Sequence, residues 1–169
     1  MHIAIADDGF IAVQAPNGGE AYTRAGDLQR DIAGLLSTGA GHLVLGNAGP
    51  IAIPPSVSLL IGGDGTISVQ ALGQGPETIT IVDRIKLVNP DYSNLQKGTD
   101  GLFYLPDGEI AAADARVKIV SGVLEQSNVN VAKTLVNMIE LQRQYEMQIN
   151  VMKTAEENAD TAAQLMRLS

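Results

Sequence analysis

The sequence contains no cysteine, so disulfide bonds and thiolate metal sites are excluded. Aromatic residues make up only 4% of the 169 residues, and the formal net charge is −8. This acidic balance disfavours nucleic acid and anionic membrane surfaces as partners, because both require basic patches. No run of about 18 apolar residues is present, so we predict no membrane insertion. The first residues also lack the basic leader of a secretory signal.

Glycine and proline are missing from the last part of the chain. All 18 Gly and all 7 Pro lie at or before Gly122. The charge divides unevenly as well, with 7 basic and 14 acidic side chains in residues 1–128 but 4 and 5 in residues 129–169. These shifts predict a β-rich body domain over residues 1–122, followed by a linker and a long C-terminal helix over residues 123–169.

Between Ile3 and Val120, apolar residues alternate with polar ones in short segments, which is typical of β-strands. The predicted strands are 10–15, 20–25, 42–46, 50–53, 57–62, 66–71, 79–88 and 116–120. Asn-Gly and Asp-Gly pairs between them favour tight turns, because they supply positive φ angles. These pairs are Asn17-Gly18, Asp64-Gly65, Asp100-Gly101 and Asp107-Gly108. We therefore predict a sandwich or barrel-like body.

The C-terminal segment reads as one helix from Val131 to about Leu168, roughly 55 Å long and capped by Asn128 or Asn130. Two heptad rows form a mainly apolar seam: Leu135, Gln142, Ile149, Glu156 and Ala163, with Met138, Tyr145, Met152, Ala159 and Met166. A second stripe contains Val136, Ile139, Val151, Ala155, Ala162 and Leu165. Two stripes predict neighbouring helices on two sides, as in a coiled coil. The predicted partner-binding residues are Leu135, Met138, Ile139, Tyr145, Ile149, Met152, Ala159, Leu165 and Met166.

Catalytic motifs are not apparent. His2 and His42 are the only histidines, and no metal-binding histidine spacing is present. The Asp-Gly segments lack the acidic ligands of a calcium loop. We therefore predict no enzyme activity, no cofactor and no metal site. Arg24 is either a solvated strand charge or the partner of Asp27 in an ion pair.

Two stretches resemble flagellar rod and hook proteins, and together they cover most of the chain. The first runs from Asp7 to Gly46, and the second runs from Ser121 to Met152. The matching motif residues in the first stretch are Asp8, Gly9, Phe10, Tyr22, Thr23, Arg24, Gly26, Gly34, Leu35, Thr38 and Gly41. Those in the second stretch are Ser127, Asn128, Val129, Asn130, Met138, Ile139, Arg143, Tyr145 and Glu146. The stretches 49–68, 82–88 and 146–169 are more similar to proximal than to distal rod proteins.

This resemblance implies a structural component of the bacterial flagellar basal-body rod, located in the periplasm. Terminal helices of many subunits would pack around a central channel, transmit torque and enclose the export path. The implied partners are copies of the same chain, other rod proteins and the flagellar type III export apparatus. The family's leading helix has no counterpart here, so we expect a further segment in front of Met1.

Two alternatives remain open. The chain could be a distal rod protein of the same family. It could also be a β-domain binding module, such as an adhesin fragment, with an oligomerising helix. A defined dimer or trimer would favour the binding module, whereas open-ended association would favour an axial protein.

Overall fold

The computed structural model describes residues 1–71, 73, 78–126 and 130–167, and it leaves the side chains of residues 107 and 160–167 undescribed. The chain divides into two compact units, Met1–Gln126 and Ser127–Ser169. The first unit, called the body below, contains the strands. The second contains the long helix.

The strands of the body are short. They are β1 (Ile3–Ile5), β2 (Phe10–Gln14), β3 (Glu20–Thr23), β4 (Leu28–Arg30), β5 (Leu36–Thr38), β6 (Ser56–Ile61), β7 (Thr66–Ala71), β8 (Ile79–Arg84), β9 (Leu87–Val88), β10 (Gln96–Lys97), β11 (Phe103–Tyr104) and β12 (Ile119–Ser121). A five-stranded sheet has the order β10-β11-β3-β2-β9, and a three-stranded sheet has the order β6-β7-β8. The pairs β1-β12 and β4-β5 form two further sheets.

Three of the predicted turns lie in hairpins, with Asp100-Gly101 between β10 and β11. In the β2-β3 hairpin, Gly18 has a φ of 84° and Ala15 N–H donates to the Gly19 carbonyl at 2.9 Å. In the β6-β7 hairpin, Gly65 has a φ of 88°. A positive φ is costly for residues with a Cβ atom, which explains why glycine occupies both positions. The mainly β body is confirmed, and none of the described sheets closes into a barrel.

Three of the predicted strands are not continuous strands. The segment 79–88 divides into β8 and β9, which belong to different sheets. Residues 42–46 instead form a series of single bridges to different partners, including Val44 with Val13 and Gly46 with Ile85. The segment 50–53 likewise makes isolated bridges. The last predicted body strand, 116–120, is shorter and shifted, because β12 starts at Ile119. The segment 42–46 therefore links several sheets, although its apolar pattern is that of a strand.

Strand β2 explains how the core is organised, because both of its faces are buried. Side chains alternate between faces along a strand. Ile11 and Val13 accordingly join the larger apolar cluster, while Phe10 and Ala12 join a second cluster with Tyr22. Every residue that forms either cluster belongs to the body.

Tyr22 makes a buried hydrogen bond that connects distant parts of the body. Its hydroxyl oxygen accepts a hydrogen bond from Ala111 N–H at 2.7 Å. Burial is the main cause that raises the pKa of Tyr22 to about 12. Nearby, Lys86 and Glu20 form an ion pair at 2.8 Å in which both side chains are largely buried.

Replacing Tyr22 with Phe should lower the free energy of unfolding by about 1–3 kcal/mol, because the buried Ala111 N–H loses its acceptor. The phenol pKa is higher in the folded than in the unfolded state, so stability should fall as the pH rises from about 10 to about 12. Tyr22→Phe should remove part of this alkaline loss. Part should remain, because the pKa of Tyr104 is also raised to about 12 by its hydrogen bond to Asp100. Urea unfolding across this pH range measures both effects, and an unchanged alkaline profile would contradict the assignment.

The second unit contains one helix, α1 (Val131–Arg167), in agreement with the prediction. Asn130 caps it, since the Asn130 side-chain oxygen accepts from Lys133 N–H at 3.1 Å. The other predicted cap, Asn128, lies outside the described residues. In the described ranges, no helix combines the length and apolar character needed to cross a membrane.

Candidate assembly surface

The surface of α1 carries the predicted partner-binding residues. In residues 131–159, the part of the helix whose side chains are described, every residue is exposed. Leu135 is 53% exposed, Ile149 41% and Met152 66%. Met138, Ile139 and Tyr145 are exposed to a similar degree. Soluble proteins seldom leave so many large apolar side chains uncovered on one element, which indicates an interaction surface.

The predicted residues follow the helix in two stripes. Leu135, Met138, Tyr145, Ile149 and Met152 share the 3.5-residue spacing of a coiled-coil seam. These five are the large apolar residues of the predicted seam whose side chains are described. Ile139 lies in the second stripe, with Val136 and Val151, which are also exposed. The structure thus provides an apolar surface on more than one side of the helix.

Polar residues interrupt the seam. Gln142 donates to the Glu146 carboxylate one turn later at 3.4 Å. A polar residue at such a position selects the register of helix packing at some cost in stability. Ala159 is exposed, whereas the side chains of Leu165 and Met166 lie outside the described part of the helix. Whether the nine predicted residues bind a partner stays a prediction.

The three-stranded sheet carries a second exposed apolar surface, which the sequence pattern did not identify. Leu60 and Ile81 both lie opposite Ser68, and Ile79 lies opposite Gln70 in the next row. These isoleucines and Leu60 are more than half exposed, as is Val57. Strands β6 and β7 contain no charged residue. The apolar alternation of β8 marks this face, but it does not reveal that the face stays uncovered.

Arg24 makes neither of the two interactions predicted for it. Its guanidinium pairs with Glu125 at 2.8 Å, instead of with Asp27 or with solvent alone. It also donates to the backbone carbonyl of Gly9 at 2.9 Å. Arg24 and Glu125 are 101 residues apart in sequence, so no local pattern could reveal this pair.

The aspartate carboxylates of two Asp-Gly turns accept hydrogen bonds from residues of the same hairpin. Asp64 accepts from the Thr66 hydroxyl at 2.8 Å and from Thr66 N–H at 3.1 Å. The hydroxyl hydrogen bond is the main cause that lowers the pKa of Asp64. Asp100 accepts from Leu102 N–H and from the Tyr104 hydroxyl. These carboxylates stabilise their turns, and the described residues include no group of three or more His, Asp or Glu placed to hold a metal.

Two family models match the chain. One, described as "Flagellar hook protein FlgE/F/G D1 domain", matches residues 4–69. The other, described as "Flagellar basal body rod FlgEFG protein C-terminal", matches residues 120–165. The first match lies in the body, and the second covers β12 and nearly all of α1.

Similarity to curated proteins over all or nearly all of this chain agrees with these matches. The chain is 41% identical to the flagellar basal-body rod protein FlgF of Escherichia coli, over all of the chain and 69% of the relative. It is 40% identical to FlgF of Salmonella typhimurium with the same coverage. FlgG of Buchnera aphidicola subsp. Schizaphis graminum is 36% identical over 96% of the chain and 64% of that protein.

A β body followed by a long helix with exposed apolar stripes is typical of a subunit that functions within an assembly. The chain belongs to the flagellar basal-body rod protein family, so it is a rod protein and not an enzyme. The resemblance deduced from the motifs is confirmed, and the identities of 41% and 40% to FlgF of Escherichia coli and Salmonella typhimurium agree with the expected similarity to proximal rod proteins.

Proposed function

We propose that this chain is a structural subunit of the flagellar basal-body rod that joins its neighbours through α1. Helices from several subunits pack together around the export channel, and the packed helices transmit torque along the rod. The observation that supports this function is the exposure of apolar side chains on two stripes of α1. One apolar stripe can be covered by one neighbouring helix. Two stripes need neighbouring helices on two sides, as for a helix packed within a tube of helices.

Burial energy favours this arrangement. Each large apolar side chain left in water forgoes roughly 1.5–3 kcal/mol. The five seam residues, Leu135, Met138, Tyr145, Ile149 and Met152, therefore supply a strong drive toward helix packing. The uncovered face of the β6-β7-β8 sheet adds a further apolar surface in the body.

The partners in this proposal are copies of the chain and other rod and hook proteins. Its location is the periplasmic part of the basal body. In this proposal the flagellar type III export apparatus delivers the subunit. The partners, the location and the export route go beyond family membership. Fractionation of basal bodies tests the proposed partners and location.

In this proposal the chain has two separate domains, a β-rich domain over residues 1–122 and a domain of linker and helix over residues 123–169. Both apolar clusters lie in the body, so its core needs no side chain from α1. Deleting residues 127–169 should leave a monomeric body that unfolds cooperatively with a midpoint within a few degrees of that of the full chain. Sedimentation velocity should show concentration-dependent association for the full chain only.

Two results would contradict this division. Loss of cooperative unfolding in the shortened chain would mean that the body depends on the helix. Association of the shortened chain as strong as that of the full chain would remove α1 from the assembly surface. A full chain that stops at a defined dimer or trimer would favour an oligomerising binding module over a rod subunit.

A further inference from the structure

Three segments of the body meet at the guanidinium group of Arg24. Arg24 directly follows β3, and its Nε lies 3.0 and 2.8 Å from the two carboxylate oxygens of Glu125. Nη1 donates to the Gly9 carbonyl at 2.9 Å, and Nη2 donates to the Asp7 carbonyl at 3.2 Å. Arginine suits this position because its planar fork can bond a carboxylate and carbonyls at the same time.

Glu125 belongs to the part of the chain that leaves the body. Gly122 N–H donates to the His2 carbonyl at 2.8 Å, which is the last backbone hydrogen bond before this exit. We call residues 123–126 the exit segment. Among the described residues, the only hydrogen bonds from the exit segment to the rest of the body are those between Glu125 and Arg24. Helix α1 begins at Val131, a few residues further on.

The pair is poorly suited to a role in folding stability. The Arg24 side chain is 28% exposed and the Glu125 side chain 42%, and ion pairs at such exposure add little to stability. Its effect is geometric, because it joins residues 101 apart at the place where the chain exits. The pair between Arg116 and Asp114, also 2.8 Å long, joins residues only two apart and serves as a natural comparison.

We propose that Arg24 and Glu125 are positioning residues that hold the exit segment on the body and so restrict the paths along which the chain continues to α1. This inference rests on the proposed function, since a defined exit matters only if α1 must reach neighbouring helices. A held exit segment lowers the conformational entropy that assembly must overcome. Loss of the pair should therefore weaken assembly without unfolding the body.

The absence of cysteine allows a direct test in the full chain. A spin label on a single cysteine at Gln126→Cys reports the mobility of the exit segment. Glu125→Gln should clearly raise the label's mobility, shown by narrower lines in its spectrum, while the melting temperature shifts by at most a few degrees. Glu125→Asp keeps the charge and should restore part of the restriction. Asp114→Asn, with the same label, should change nothing.

The second arm of the test is swimming. In cells carrying the complete gene, Glu125→Gln should reduce swimming several-fold, whereas Asp114→Asn should swim normally. Unchanged label mobility in Glu125→Gln would overturn the proposal. Raised mobility with normal swimming would also overturn it, while leaving the role of α1 intact. Failure of the proposed function itself would appear separately, as normal swimming of cells with a charge in the helix seam.

Discussion

Cells whose rod gene carries Ile149→Asp should form no rod and should not swim, although the variant protein remains folded. Ile149 lies in the middle of the seam and is 41% exposed in the isolated chain. In a packed helix bundle, an aspartate at this position would be buried without a partner. An unpaired buried charge costs several kcal/mol, and the cost recurs at every subunit contact. Because every contact in the rod is weakened by this amount, the rod should not assemble.

The matched control for this variant is Asn150→Asp. Asn150 is the next residue of α1, but it belongs to neither apolar stripe, and its neighbours one turn away, Glu146 and Lys153, are charged. Asparagine and aspartate have similar size and helix propensity, so this variant adds a charge outside both apolar stripes. Melting curves of both purified variants should match that of the parent chain. Normal swimming of Ile149→Asp cells, or equal defects in the two variants, would contradict a role of the seam in assembly.

Replacing Gly26 with Ala should cause a large loss of stability in the body. A Cβ atom on Gly26 would lie 1.8 Å from the Ile3 carbonyl oxygen, a distance that requires the backbone to move. Ile3 cannot move freely, because it is fully buried and pairs with Ser121 in the β1-β12 sheet. We expect the free energy of unfolding to fall by about 3 kcal/mol or more.

Gly18→Ala provides the comparison for this substitution. Gly18 also carries a backbone conformation that favours glycine, with φ of 84°, but no atom lies within 4 Å of its added Cβ. Only local backbone strain of about 1–2 kcal/mol should appear there. Urea titrations of both variants measure the difference. Equal losses would mean that close packing against Ile3 is not the reason for glycine at position 26.

The elements with strong local signals could be predicted from the sequence. The Asn17-Gly18 turn and the long helix depend on neighbouring residues, and both are confirmed. Short segments are harder to predict from the sequence. Residues 42–46 have the composition of a strand, yet each bridge that they form has a different partner. Composition records how apolar a segment is, but the number of neighbours that share its hydrogen bonds is a property of the whole fold.

Only the part of the candidate assembly surface that follows from local spacing could be predicted from the sequence. The 3.5-residue spacing of the seam is local, so the spacing alone is enough to choose its residues. The uncovered face of the β6-β7-β8 sheet was not predictable, because an apolar strand residue looks the same whether its face is covered or open. The pair of Arg24 and Glu125 depends on a contact across 101 residues, which no spacing rule encodes.

Photo-cross-linking from position 149 tests whether the seam of α1 touches neighbouring subunits in the rod. A photoreactive amino acid replaces Ile149 in the complete protein, and isolated basal bodies are irradiated. We expect covalent products that join this chain to another rod subunit, with few or none from the same group placed at Ser93 in the body. Basal bodies that contain the chain but yield no product from position 149 would contradict the packing of the seam against neighbouring subunits.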